Sequence, residues 1–233
     1  MKNNYLHLCD KNYDSEFDNI NLLLRYPWVG INYKNSDYHV LLLGDSHYAS
    51  NEDGTHSTEE EKRFNTDKES TRETINCAID NFCEQGSSWN MFNGLLNTFI
   101  NIAPDAVKAF WGKVAFYNFI QEPMEKSNSR PTARQKKEGW QCLAKVTEIL
   151  KPNYIILFGL RNCYGLEDQK LGNLKWEKDK KISNCTPAIG SINTSTGGTP
   201  LAIIHHAARG YYPSAWRDYL KEKAPEIVSF LMK

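Results

Sequence analysis

The stretch Val40-Leu41-Leu42-Leu43-Gly44-Asp45-Ser46-His47-Tyr48 decides the fold. Four aliphatic residues in a row suit a strand buried on both faces, as in a parallel sheet covered by helices. Gly44 then lets the chain turn sharply, and Asp45, Ser46, His47 and Tyr48 emerge at the strand's carboxyl end. In open α/β sheets that edge is where ligands bind. An acid, a hydroxyl, an imidazole and a phenol gathered there mark a candidate site.

Three further apolar runs resemble the first: Val114–Tyr117, Tyr154–Phe158 and Leu201–Ile204. They end in Asn118, in Gly159 and in the pair His205-His206. An amphipathic helix from Thr132 to Leu150 separates the second run from the third. Arg130-Pro131 introduces it and Lys151-Pro152 stops it, with Trp140, Leu143, Val146 and Leu150 at helical spacing. Strand, helix, strand without a hairpin signal implies parallel crossovers. The expected fold is α/β: a three-layer αβα domain over residues 1–233 with a central four-stranded parallel sheet. Its strands fall near 39–44, 113–118, 154–159 and 201–205. Further helices are expected over 17–26, 69–82, 91–102, 105–111 and 216–232. Residues 51–66 read as a loop with one helical turn, and Gly190–Pro200 as a loop before the last strand.

The chain has 233 residues, 40% of them apolar and 24% charged, which suits a soluble globular domain. No apolar run approaches the ~20 residues of a membrane span, and the amino terminus carries no signal-peptide stretch, so a cytoplasmic protein without membrane contact is expected. The six cysteines form no C-x-x-C pair. They read as reduced, mostly buried thiols, with no zinc, no iron–sulfur cluster and no other cofactor. Basic and acidic residues balance at 28 each, so no global field draws the chain toward nucleic acid. Lys170–Lys181, with five lysines, is either a local phosphate-binding patch or a solvated loop.

If the four strands are parallel, Asp45, Asn118 and one of the two histidines share one sheet edge. An Asp can position water. An Asn carboxamide offers a donor and an acceptor side by side, which suits a nucleobase edge. A His can donate to charge that develops on a leaving group. His205 and His206 are adjacent, so in a strand only one of them faces the site.

With these residues in place the sequence resembles the uracil-DNA glycosylase superfamily. Gly44-Asp45-Ser46-His47-Tyr48 is similar to its first motif, Phe116-Tyr117-Asn118 to its strand-ending Asn, and His206-Ala207-Ala208 to its late H-P-S motif. Arg130-Pro131 and the helix after it, and Lys151–Gly159, are similar to segments of the iron–sulfur branch, whose paired cysteines are missing here. The resemblance spans roughly residues 38–210. It implies a monomeric DNA glycosylase that flips a nucleotide from the stack and hydrolyses its N-glycosidic bond, leaving an abasic site in a base-excision role. Asp45 would position water and stabilise the sugar cation, and His206 would stabilise the departing base. Asn118 would read the base edge, with Gly44, Ser46, His47 and Tyr48 around it. Tyr48 matches a tyrosine that crowds the ring position where thymine carries its methyl group.

The departures are specific. His47 stands in place of Pro, Ala207-Ala208 in place of Pro-Ser, and Asp45 in place of Gln or Glu. They point from plain uracil toward a modified pyrimidine. Arg209, Tyr211 and Tyr212 follow the motif histidine and either contact DNA or dock the last helix. Two other readings compete. One is a base- or nucleotide-binding protein on the same fold that does not cleave. The other is a GDS-type esterase with Ser46 as nucleophile, although no Asp lies three residues before His205 or His206.

Overall fold

The computed structural model describes residues 3–51, 53, 55–126, 129–159, 165–195, 197–208 and 210–233. In chain order its amino-terminal half contains α1 (Asp14–Phe17), β1 (Trp28–Val29), β2 (Val40–Tyr48), α2 (Thr58–Thr66), α3 (Ser70–Gln85), α4 (Asn90–Phe99) and α5 (Pro104–Lys113). Then follow β3 (Val114–Met124), α6 (Ala133–Leu150), β4 (Tyr154–Phe158), β5 (Gly172–Trp176), β6 (Ala188–Thr194), β7 (Gly197–Ile204), α7 (Pro213–Lys223) and α8 (Pro225–Met232).

The strands form one mixed sheet in the order β1-β3-β2-β4-β7-β6-β5. Its centre, β3-β2-β4-β7, is parallel throughout and consists of the four apolar runs. The sheet nevertheless has seven strands among the described residues, not four. β1 adds antiparallel to β3, and β6 and β5 continue antiparallel beyond β7. Gly190–Pro200, expected as a loop, is most of a β6–β7 hairpin. Gly190 has a packing cause, since a Cβ there would lie 2.0 Å from the Asn173 carbonyl oxygen of β5.

Side chains alternate between two cores, as the strand repeat requires. Val40, Leu42, Phe116, Ile156, Phe158, Ala202 and Ile204 join the helical residues of α3, α4, α5, α7 and α8. Leu41, Leu43, Tyr117, Ile155, Leu157, Leu201 and Ile203 join Trp140, Leu143, Val146 and Leu150 of α6. The central strands are therefore covered on both faces, which explains their unbroken apolar runs. A capping box between Thr132 and Gln135 starts α6.

Three helix boundaries differ from expectation. The helix expected over 17–26 is not formed: α1 ends at Phe17, and the chain continues in tight turns, with Ile20 N–H donating to Phe17 O and Leu23 N–H to Ile20 O. Those turns bury Phe17, Ile20 and Leu23 at a spacing of three without a helix. In the 51–66 segment, α2 is nine residues long. Ser57 caps it by accepting from Glu60 N–H, and Glu59, Glu60 and Glu61 complement its positive end. The last helix divides at Ala224-Pro225, where proline interrupts the backbone ladder.

Candidate functional site

The site arises where β2 loses a neighbour. β4 pairs with β2 from Val40 to Leu43 and stops, while β2 and β3 run on together past Gly44. Asp45, Ser46, His47 and Tyr48 are therefore strand residues and not a turn, and Asn118 lies inside β3 instead of ending it. The β2–β3 register shifts between Ser46 and Tyr48, paired with Ile120 and Met124, which re-aims the side chains between them. A cavity of about 580 Å³ opens beside this ribbon. Asp45, Ser46, His47, Tyr48, Asn118 and His206 all line it.

Gly44 and Asn118 are register partners. A Cβ on residue 44 would lie 2.2 Å from Asn118 Oδ1 and 2.9 Å from Phe116 Cζ, so the carboxamide uses space that only glycine leaves open. Behind it, buried Gln121 donates from Nε2 to the Asn118 carbonyl oxygen at 2.6 Å and accepts from Leu24 N–H at 3.1 Å. Arg25, also buried, donates from Nη1 to the Gln121 carbonyl oxygen. Asn118 is thus braced from the backbone side by the segment before β1.

His47 packs inward against α2 and α3. Its ring stacks on Phe64 at 4.6 Å, and Nε2 lies 3.0 Å from Thr71 Oγ1. Burial, with the Arg25 and Arg63 cations nearby, holds its pKa well below the usual histidine value, so the imidazole is neutral at pH 7. Burial likewise lowers the Arg25 guanidinium to about 10, which leaves it charged. Ser46 Oγ is buried without a hydrogen-bond partner. A nucleophilic serine needs a base within reach, and none bonds this hydroxyl, which counts against the esterase reading.

Both motif histidines follow the end of β7 at Ile204. His206 lines the cavity. His205 stacks on Tyr211, which also stacks on Trp216, with centroid separations of 6.4 and 6.2 Å. The Tyr211 hydroxyl is 2.8 Å from Thr98 Oγ1, so this tyrosine docks the last helical layer. Tyr212 is 61% exposed. Arg209 lies outside the described residues. Ala207 is fully buried, and a Cβ on Gly94 of α4 would meet its carbonyl oxygen at 2.2 Å. The small residues at 94 and 207 therefore let α4 press against the loop that carries His206.

The helical walls were not foreseen from sequence. Arg63 and Phe64 come from α2, Thr71, Glu73, Thr74 and Cys77 from α3, and Met91 and Phe92 from α4. Trp89, half exposed at the start of α4, stands at the rim. A hydrogen-bonded turn fixes its approach: Ser88 N–H donates to Asn93 Oδ1, and Asn93 Nδ2 to Ser88 O. Only the helical spacing of apolar residues hinted at these walls, and that signal reads equally as core. Of the lysine stretch, residues 172–176 are β5, and Lys180 pairs with Glu222 at 2.5 Å. Among the described residues no cluster of His, Cys, Asp or Glu has the grouping of a metal site, and no helix is long and apolar enough to cross a membrane.

Comparison with protein families, with curated proteins and with solved structures finds no match for this chain. The chemistry of the cavity must carry the functional argument.

Proposed function

We propose that the chain is a DNA glycosylase that hydrolyses the N-glycosidic bond of a flipped pyrimidine. The observation that carries this reading is the convergence of Asp45, Asn118 and His206 on one cavity at the carboxyl edge of the parallel strands. They lie on three separate elements, and Gly44, the residue before Asp45, is the register partner of Asn118.

Each group has work suited to its chemistry. The Asn118 carboxamide, on a backbone braced by Gln121, pairs with the base edge through one donor and one acceptor. The apolar wall of Phe92 and Phe116 covers the ring. Asp45 orients a water toward the anomeric carbon and stabilises the oxocarbenium-like sugar as the bond lengthens. His206 donates to the negative charge that accumulates on the departing base. Trp89 and Tyr212 are exposed aromatics fit to stack on bases that flank the vacated position.

The test is strand scission by alkali at abasic sites, on single- and double-stranded DNA carrying uracil or modified pyrimidines. Time-dependent scission by the wild type, lost in Asp45→Asn, supports the reading. Tight binding of a base or nucleotide with no scission, unchanged by Asp45→Asn, identifies a binding protein instead.

A further inference from the structure

The cavity has a polar flank beside the residues assigned to the base and the sugar. On the flank built by α2 and α3, Arg63, Glu73 and Thr74 line the cavity, with Ser50 from the segment after β2.

This flank is pre-organised. Arg63 Nη1 lies 3.5 Å from Glu73 Oε2, and Arg63 Nη2 lies 2.8 Å from Glu60 Oε2. Its guanidinium also sits 4.5 Å above the Phe64 ring. Thr74 Oγ1 donates to the Ser70 carbonyl oxygen at 2.8 Å, which leaves its lone pairs to accept. Donor and acceptor thus stand side by side, and that combination selects among substituents. A bare methyl group would desolvate the Arg63–Glu73 pair without replacing its lost water. An anionic group would face the Glu73 carboxylate. A neutral group with hydroxyls can donate to Glu73 and Thr74 and accept from Arg63. Tyr48, the residue set by family resemblance against a ring substituent, lines the cavity while also packing against the core on the α6 face.

Resting on the glycosylase reading, we propose that Arg63, Glu73, Thr74 and Ser50 form a subsite for a neutral, hydroxyl-bearing substituent on the pyrimidine. The preferred base is then an extended one, not uracil.

Mass spectrometry of released bases tests this, using DNA that carries uracil, 5-hydroxymethylcytosine or hexosylated 5-hydroxymethylcytosine. The wild type should release the hexosylated base with the highest kcat/KM. Arg63→Gln and Glu73→Gln should each lower the ratio of hexosylated to uracil release at least about tenfold, the scale of losing one hydrogen bond to a charged group. Preference for uracil, or a ratio unmoved by both variants, overturns the subsite. Release of no base from any DNA removes the glycosylase reading alone. The free hexosylated nucleoside then decides by calorimetry: tighter binding than deoxyuridine, weakened about tenfold by Glu73→Gln, supports the subsite. Equal or absent binding overturns it.

Discussion

The Asn118 carboxamide occupies the space that a side chain on Gly44 would fill, 2.2 Å separating Oδ1 from the Cβ position. Placement of the proposed base-reading group therefore depends on the absence of a side chain one strand away. Gly44→Ala should displace the carboxamide and destabilise the fold by about 1–3 kcal/mol, the usual cost of overpacking. Base selectivity should fall further than stability alone accounts for. Chemical denaturation paired with release from two competing bases measures both effects, and an Ala variant with wild-type selectivity would remove this role for Gly44.

The contact between Gly94 and Ala207 sets a contest between two effects. Replacing a helical glycine by alanine ordinarily stabilises by up to about 1 kcal/mol. Here the new Cβ meets a backbone oxygen at 2.2 Å, and backbone does not swing aside as a side-chain tip does. The clash should win. Gly94→Ala should lower Tm and, because the loop it displaces carries His206, reduce base release more than substrate affinity.

His47 gives a pH signature. Its folded-state pKa is well below the unfolded value of about 6.5, so the unfolded chain binds more protons in acid. The stability that neutral His47 contributes is present above about pH 6.5 and is lost progressively as pH falls from there through the lower folded-state value. His47→Asn should flatten the fall in Tm between pH 7 and pH 5 relative to wild type. An identical slope in both proteins would show that other groups control acid destabilisation.

The two tyrosines after the motif histidine should separate cleanly. Tyr211→Phe removes the hydroxyl partner of Thr98 and should cost about 0.5–1.5 kcal/mol of stability without changing affinity for DNA. Tyr212→Ala and Trp89→Ala touch exposed rings. Each should leave Tm in place and weaken DNA binding by about 1–3 kcal/mol per lost stacking contact. Fluorescence anisotropy beside thermal melts distinguishes the two classes, and DNA affinity unmoved by either exposed variant would place the nucleic-acid contact elsewhere.

Much of the sheet's centre was legible because burial on both faces writes an unbroken apolar run, as in Val40–Leu43 and Tyr154–Phe158. The edges were not. β1 is two residues long, and Gly172–Trp176 and Ala188–Thr194 are polar, glycine-bearing strands whose glycines serve close backbone approach. Such segments carry the composition of loops. In the site, Asp45, Asn118 and His206 could be grouped from sequence because the ends of the apolar runs share an edge. Arg63, Thr71 and Trp89 could not, since tertiary packing alone brings their helices to the cavity. The extension of β2 through Tyr48 was equally hidden, because Gly44 reads as a turn until Asn118 is seen leaning over it.

The most direct test of the central claim is quantitative mass spectrometry of free base, with abasic sites counted on the same DNA, for wild type and Asp45→Asn across uracil and modified pyrimidines. The expected result is one free base per abasic site from at least one substrate, with release by Asp45→Asn slower by about a hundredfold or more. No free base from any substrate, or equal release by the two proteins, would contradict a glycosylase centred on Asp45.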